Sequence, residues 1–559
     1  MPKMNSTRKR YATLMKGLTF LLSVVAITCI AFSVGTTESN FTNQEQTIDN
    51  SYGAWTSILW TQTTQSDFEA GTLTNVSPTI SQGDVTLASP SDWFDSDWSY
   101  RRQIIIDHTR VDNVSAPSTA YAEFPVLVYV TGLSDTHIGV GGADIRFTAS
   151  DGVTELPREI ESYSAGTLYA WVKVTLTKDA SDFTDDTIYM YYGNTAASEP
   201  APDSTYGSEK VWDSKYIMVQ HLKESPNGTA YEMKDSTSND NHGTTVGGMD
   251  SSDSVNAKVG KGLDLDGVDG AGGDHISVPN SNSLNGTVDE GTWSMWINWD
   301  DWGSEQKVIM AIADRYTAPT DGYEWGAQAG FPDGNLFAYP WARDPNYNLN
   351  TSTNFTNGTW HYISVRYDWT SRTLTMNLDG NDLNNNILNV GAANWTQQAA
   401  IDAAWLWGGS PQRNTRFIDA RIDEIQVSDV SRSLNWITTS YKNQDNPSTF
   451  CSVGNEYAMY VPSGTIASQV KDTAITGARW DSLEWDEGLG GGTDITFDVR
   501  AADTSFVKEN TTLAWTSLGG TSPVYAGLPG GRYFQWRATL TTADTAVTPT
   551  LNEVRAFYT

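Results

Sequence analysis

Hydrophobic and polar residues alternate over short runs along most of this chain. Leu263 and Leu265 alternate with Asp264 and Asp266, the pattern of a half-buried strand. Asp266-Gly267 and Asp269-Gly270 supply turn chemistry, and Ile276 and Val278 open the next strand. Trp293, Met295 and Ile297 alternate with Ser294, Trp296 and Asn298 in a third. Similar short runs recur at 103–106, 124–128, 144–148, 157–161, 170–174 and 187–192, and again at 465–470, 480–485, 495–499, 533–539 and 554–558. Turn signals separate them, and long helical patterns are few. The pattern predicts an all-β chain of tandem β-sandwich or jelly-roll domains.

One run breaks this rhythm. Leu18 to Val34 is uncharged and follows Arg8, Lys9, Arg10 and Lys16, which is the arrangement of an export signal. It predicts an N-terminal hydrophobic helix with three fates. Ser33 and Gly35 are small residues suited to signal-peptidase cleavage before Thr36. The run is alternatively a short membrane anchor, at the low end of spanning length. Third, Lys16-Gly17-Leu18-Thr19 before an apolar run resembles the signal of archaeal type IV pilin-like proteins, cut after the glycine. Thr28 argues against a lipoprotein reading of Cys29.

At 559 residues the chain exceeds one ordinary core. The expected divisions are a signal or anchor at 1–35, a spacer with short strands at 36–91, and sandwiches at 92–208, 209–455 and 456–559. Residues 55–91 carry strand patterns of their own. They either pack with 456–559, the middle being inserted, or form a separate stalk.

Composition narrows the function. A net charge of -32 argues against nucleic acid, whose phosphates would be repelled. It suits a surface protein, and acidic loops are able to hold a hard cation. The two cysteines, Cys29 and Cys451, are not a plausible pair. The six His and two Cys show no zinc-type spacing along the chain. Asn-x-Ser/Thr sequons run from Asn40 to Asn510, compatible with a glycoprotein.

Two stretches carry family resemblances. Asp266 to Asn285 followed by the 293–297 strand, Trp360-His361-Tyr362-Ile363, Leu374 to Gly380 and Ile422-Asp423-Glu424-Ile425 resemble, in order, the strands of laminin-G-like, concanavalin-type jelly rolls. Trp98 to Arg102, Phe124-Pro125-Val126-Leu127-Val128, Asp144 to Thr148, Glu159-Ile160-Glu161, Ala170 to Val174 and Tyr189 to Asn194 resemble the prokaryotic domain of unknown function DUF2341. The laminin-G resemblance implies one rim Ca2+, held by Asp266, Asp269 and Asp274 with Asp423 and Glu424; Gly270 stands where the second aspartate of the family turn is usual. The alternative is that these acids cap turns and solvate the rim.

Sugars stack on aromatic faces, which makes Tyr323, Trp325, Tyr339, Trp341, Arg343, Trp405, Trp407 and Arg413 glycan-binding candidates, set against the tendency of aromatics to form core. Glycan hydrolysis is disfavoured. No E-x-D-x-x-E strand is present, and strand alternation places Asp423 and Glu424 on opposite faces. There is also no G-x-S-x-G elbow and no H-E-x-x-H. The expectation is a non-enzymatic, exported, extracellular or cell-surface protein that binds glycans or surface proteins, with calcium. The alternatives are a structural subunit of a pilin-like filament or surface layer, self-assembling through residues 18–34, and a glycan hydrolase.

Overall fold

The structure is a computed structural model and describes residues 57–78, 84–90, 92–112, 121–177, 185–270, 272–284, 290–301, 307–312, 327–330, 335–338, 349–350, 356–368, 370–371, 373–383, 404–409 and 416–559. Residues Ile58–Tyr558 form one compact unit. The unit is all-β, apart from a helix at Leu434–Asp445 and short helical turns. The expected N-terminal hydrophobic helix lies outside the described residues. Among the described residues no helix is long and apolar enough to cross a membrane.

Three sandwiches are nested in one another. The innermost is the jelly roll. Its large sheet runs in the order Ser254–Asn256, Lys261–Asp266, Asp419–Ser428, Glu290–Asp301, Trp360–Asp368, Thr373–Leu378 and Asn381–Asp382, with Tyr216–Gln220 also paired to Asp419–Ser428. A second sheet orders Thr244–Val246, His275–Val278, Trp405–Trp407 and Met310–Ile312. Leu263, Leu265, Trp293, Met295, Ile297, Ile422 and Val427 fill the core between them, as the alternation predicts.

The middle sandwich pairs Tyr121–Val130, Thr167–Leu176 and Arg158–Ser164 in one sheet. The other orders Cys451–Ala458, Tyr100–Ile106, Asp186–Tyr192, Arg146–Thr148 and Glu155–Leu156. Its edge strand comes from beyond the jelly roll: Cys451 lies opposite Ile106, and Ala458 opposite Tyr100. The boundary expected between 455 and 456 therefore falls inside a strand of the middle sandwich.

The outer sandwich combines both ends of the unit. Ile58–Gln62 pairs along Thr550–Tyr558, and Thr72–Thr74 along Ser463–Ala467. Trp60, Phe68, Val85 and Leu87 share one core with Trp480, Leu483, Phe534 and Trp536. The Trp536 indole N–H donates to the Gln62 side-chain oxygen at 2.8 Å. The helical turn Gln65–Glu69 starts with a capping box in which Thr64 and Asp67 satisfy each other's backbone N–H groups.

The jelly roll's large sheet is covered on both faces, which is why Gly291 to Trp299 is buried without a break. One face meets the small sheet. The other places Trp296, Tyr362 and Val219 in the same cluster as Trp171, Leu127 and Ile104 of the middle sandwich. The Leu434–Asp445 helix, N-capped by Ser433, lies in this seam. Its Asn443 amide accepts from the Leu127 N–H at 2.7 Å and donates to the Leu127 carbonyl at 2.9 Å, so a side chain takes the place of a neighbouring strand. Gln444, next along, accepts from the Trp296 indole at 2.7 Å.

Two outcomes are expected. Residues 456–559 alone leave the Trp536 side of their core open; a fragment that also carries residues 57–90 melts cooperatively by circular dichroism, and one without them does not. Asn443→Ala strands the buried N–H and carbonyl of Leu127 and lowers the stability of the full chain by about 2–4 kcal/mol in urea unfolding.

Candidate functional site

The acids singled out in the sequence fall in two places. Asp266, Asp269 and Asp274 belong to the turn after Lys261–Asp266, at the jelly-roll rim. Asp274 is buried, and its Oδ2 accepts from the Asp266 N–H at 3.3 Å. Its close approach to Gly247 leaves 2.3 Å between Asp274 Oδ1 and a Cβ built there, so only glycine fits. The Asp269 carboxylate accepts from the Arg416 N–H at 2.9 Å and lies 3.9 Å from the Lys307 ammonium. Asp419 pairs opposite Asp266. Burial raises its pKa, as do Asp300, Asp301, Asp264 and Asp266 beside it. The rim thus gathers more carboxylates than the turn motif alone revealed, since Asp300, Asp301 and Asp419 come from distant strands.

Asp423 and Glu424 are not at this rim. They lie four and five residues beyond Asp419 on the same strand, on the order of 13 Å away at the rise of a strand. The expected five-acid set therefore does not converge on one ion. The expectation that the two acids face opposite ways is also corrected. Ser294 pairs with Gln426 but Trp296 with Asp423, so Glu424 and Ile425 together stand opposite Met295 in a β-bulge. Glu424 takes a φ of 52° there. Ile422 and Ile425 point into the core, and Asp423 and Glu424 both point out of it, toward the middle sandwich.

They meet a buried ionic cluster there. His221, one residue past Tyr216–Gln220, holds its Nδ1 2.8 Å from Glu424 Oε1 and 3.4 Å from Glu161 Oε2. Its Nε2 lies 3.3 Å from Glu159 Oε2. Glu159 also accepts from the Trp212 indole at 3.2 Å and the Ser236 hydroxyl at 2.7 Å. The Lys223 ammonium reaches Glu159 and Glu161 at 3.4 and 3.3 Å. Asp423 Oδ2 accepts from the Val259 N–H at 2.8 Å. Glu159 and Glu161 come from one strand of the middle sandwich; the other members come from the jelly roll.

Burial and opposite charge compete in this cluster. Burial works against ionised Glu159, yet His221 and Lys223 hold it down to about 2. Burial raises Glu161, with Glu424 and Glu159 adding like charge. Burial and then Glu424 push Asp423 well above the carboxylate range. Burial opposes the imidazolium of His221, but Glu424, Glu159 and Glu161 raise it well above the usual histidine value. The Glu159-Ile160-Glu161 motif was visible in the sequence, but His221 carried no signal there. Its partners lie about 60 residues upstream and about 200 downstream, as the separations of 62 and 203 residues for neighbouring contacts show.

Of the aromatic candidates, Trp405 and Trp407 are buried in the jelly-roll core, and Trp407 packs edge-on against Trp293 with ring centroids 6.1 Å apart. Their position corrects the reading of Trp407 as a glycan contact. Tyr323, Trp325, Tyr339, Trp341, Arg343 and Arg413 lie outside the described residues.

Two family models match the chain in the order the resemblances imply. Residues 141–209 match the domain of unknown function DUF2341, and residues 269–438 match Laminin_G_3 of the concanavalin A-like lectin/glucanases superfamily. No curated protein matches the chain. Among solved structures, domain 4 of AbnA, a GH43 extracellular arabinanase from Geobacillus stearothermophilus in complex with arabinotriose, is 16% identical, covering 40% of this chain and 97% of that one at a TM-score of 0.29. Trypanosoma rangeli sialidase in complex with 2,3-difluorosialic acid is 11% identical, covering 52% of this chain and 44% of that one at 0.31. The binding domain of Paraclostridial Mosquitocidal Protein 1 is 14% identical, covering 48% and 60% at 0.31. The chain thus spans under half of the sialidase. Likenesses with scores this low carry no weight for function.

The rim makes a pH prediction. Burial, opposed by the Asp266 N–H and reinforced by the Asp266 carboxylate, raises Asp274 from 3.8 to about 6. Its ionised form costs more in the folded than in the unfolded chain, so stability falls as pH rises from about 4 to about 6 and is level above. Asp274→Asn removes this slope. In melting curves across the range, the variant gains on the wild type above about pH 6 and shows no gain below about pH 4.

Proposed function

We propose that the chain is an exported, non-enzymatic surface protein that recognises carbohydrate through its jelly roll. The observation that carries this reading is the match of residues 269–438 to the concanavalin A-like lectin/glucanases superfamily, which supports carbohydrate binding at a coarse level. The nested fold narrows where a sugar would sit. The outer face of the large sheet is closed by the middle sandwich and the Leu434–Asp445 helix. Recognition then falls to the rim, where Asp266, Asp269 and Asp274 stand, with Trp325, Tyr339, Trp341, Arg343 and Arg413 as the aromatic and cationic candidates that the sequence offers. Calcium at the rim acids would offset their mutual repulsion and fix the turn that borders this surface. The Leu18–Val34 run and the basic residues before it support the export part of this reading.

The test is a glycan array probed with the full chain, with calcium and with chelator. Binding is expected to a narrow set of glycans and to weaken on chelation. Trp341→Ala is expected to weaken it roughly tenfold, about 1.4 kcal/mol, without lowering the melting temperature. Calcium is expected to raise the melting temperature of the wild type and not of Asp266→Asn. An array without specific signal would sink the carbohydrate reading. A mature chain starting at Leu18 by mass spectrometry would replace it with the filament reading.

A further inference from the structure

We infer that Glu161, His221 and Glu424 form a binding site for one divalent transition-metal ion of the zinc or manganese class, which ties the middle sandwich to the jelly roll. The three candidate ligand atoms lie within 4.8 Å of one another, and all three residues are buried. Metal bonds of about 2.0–2.2 Å to imidazole and carboxylate set adjacent ligands roughly 3.0–3.5 Å apart. His221 Nδ1 already stands 2.8 and 3.4 Å from Glu424 Oε1 and Glu161 Oε2.

Three further observations favour an ion over a plain ion pair. Glu161 Oε1 has no hydrogen-bond partner among the described residues, although its side chain is fully buried. An unsatisfied buried carboxylate oxygen is costly, and a metal would satisfy it. Charge also points the same way. A ligand imidazole is neutral, so Lys223 is the cation that reaches Glu159 and Glu161, and with Asp423 and Glu424 beside them the cluster carries an excess of formal negative charge that a divalent cation would reduce. Finally, the far side of the imidazole is prepared. With Nδ1 on the metal, the proton resides on Nε2, 3.3 Å from Glu159 Oε2. Trp212 and Ser236 fix that carboxylate. Nε2 makes no aligned hydrogen bond in this structure; a small turn of the ring onto a metal at Nδ1 would bring it to Glu159, and a carboxylate so placed behind a ligand histidine sets its tautomer and orientation.

The ligand set selects the metal class. Calcium takes six to eight oxygens, whereas one imidazole with two carboxylates suits zinc, manganese or iron(II). Glu161 comes from the middle sandwich and His221 and Glu424 from the jelly roll, so the ion would bridge the seam. Burial on all sides means it enters as the two sandwiches dock. The inference is independent of what the jelly-roll rim binds.

The full chain is unfolded with chelator, refolded with zinc, manganese or no metal, and desalted. Metal content is then measured by mass spectrometry, alongside the melting temperature. The wild type is expected to retain about one equivalent and to melt higher with it. Glu161→Gln and Glu424→Gln are expected to lose both effects. Asp185→Asn, which disrupts the half-buried Asp107–His108–Asp185 group, is expected to keep both. Refolding with cobalt gives a readout that needs no variant: visible d–d absorption typical of mixed nitrogen and oxygen ligation is expected. A wild type that binds no more metal than Glu161→Gln, or shows no such cobalt spectrum, overturns the site. So does a metal-free Glu161→Gln more stable than the wild type with metal present, because the cluster is then served by protons alone.

Discussion

The pairing of Cys451–Ala458 with Tyr100–Ile106 is the constraint on which the rest of the unit depends. It returns the chain to the middle sandwich after the jelly roll is complete, and so pins both ends of the jelly roll to one neighbour. Docked in this way, the large sheet turns its second face inward, and Trp171, Trp212 and Trp296 become core. Burying aromatic side chains of this size is worth several kcal/mol in total. The seam is thereby a second hydrophobic core rather than a surface contact between independent domains.

A seam of that kind imposes terms on every polar group inside it. Asn443 meets them by completing the hydrogen bonds of the Leu127 peptide, and Gln444 by accepting from Trp296. The charged groups meet them collectively. Glu159, Glu161, His221, Lys223, Asp423 and Glu424 stand within reach of one another because a single bulge turns Glu424 to the same side as Asp423. Charges arranged across a seam fix one relative orientation of the two sandwiches more sharply than apolar contacts do, because a sliding misfit would leave a carboxylate buried and unpaired.

Local sequence patterns revealed most of the strands. The alternation at 263–265 and 293–297 identified both the strands and the side that faces the jelly-roll core, since a period of two is dictated by the pleat. Both family resemblances are matched by family models at 141–209 and 269–438. Other features were not readable locally. A bulge is set by the partner strand, so Ile422-Asp423-Glu424-Ile425 reads as plain alternation. The allegiance of Cys451–Ala458 lies in hydrogen bonds to a strand about 350 residues earlier, as Cys451 opposite Ile106 shows. Trp407 stayed open between glycan contact and core, because nothing beside it in the chain announces Trp293 as its neighbour. His221 had no nearby acid at a ligand spacing, because its companions arrive from two other strands.

Nesting also imposes an order on synthesis. Ile58–Gln62 is made about 490 residues before its partner Thr550–Tyr558. Contacts between residues so distant in sequence form slowly, and an unpaired strand edge is sticky while it waits. The jelly roll is able to close first, the middle sandwich only after Cys451–Ala458 emerges, and the outer sandwich last of all. A chain cut short before Thr550–Tyr558 therefore leaves the pairing edge of Ile58–Gln62 open, so truncation exposes a strand edge far from the cut.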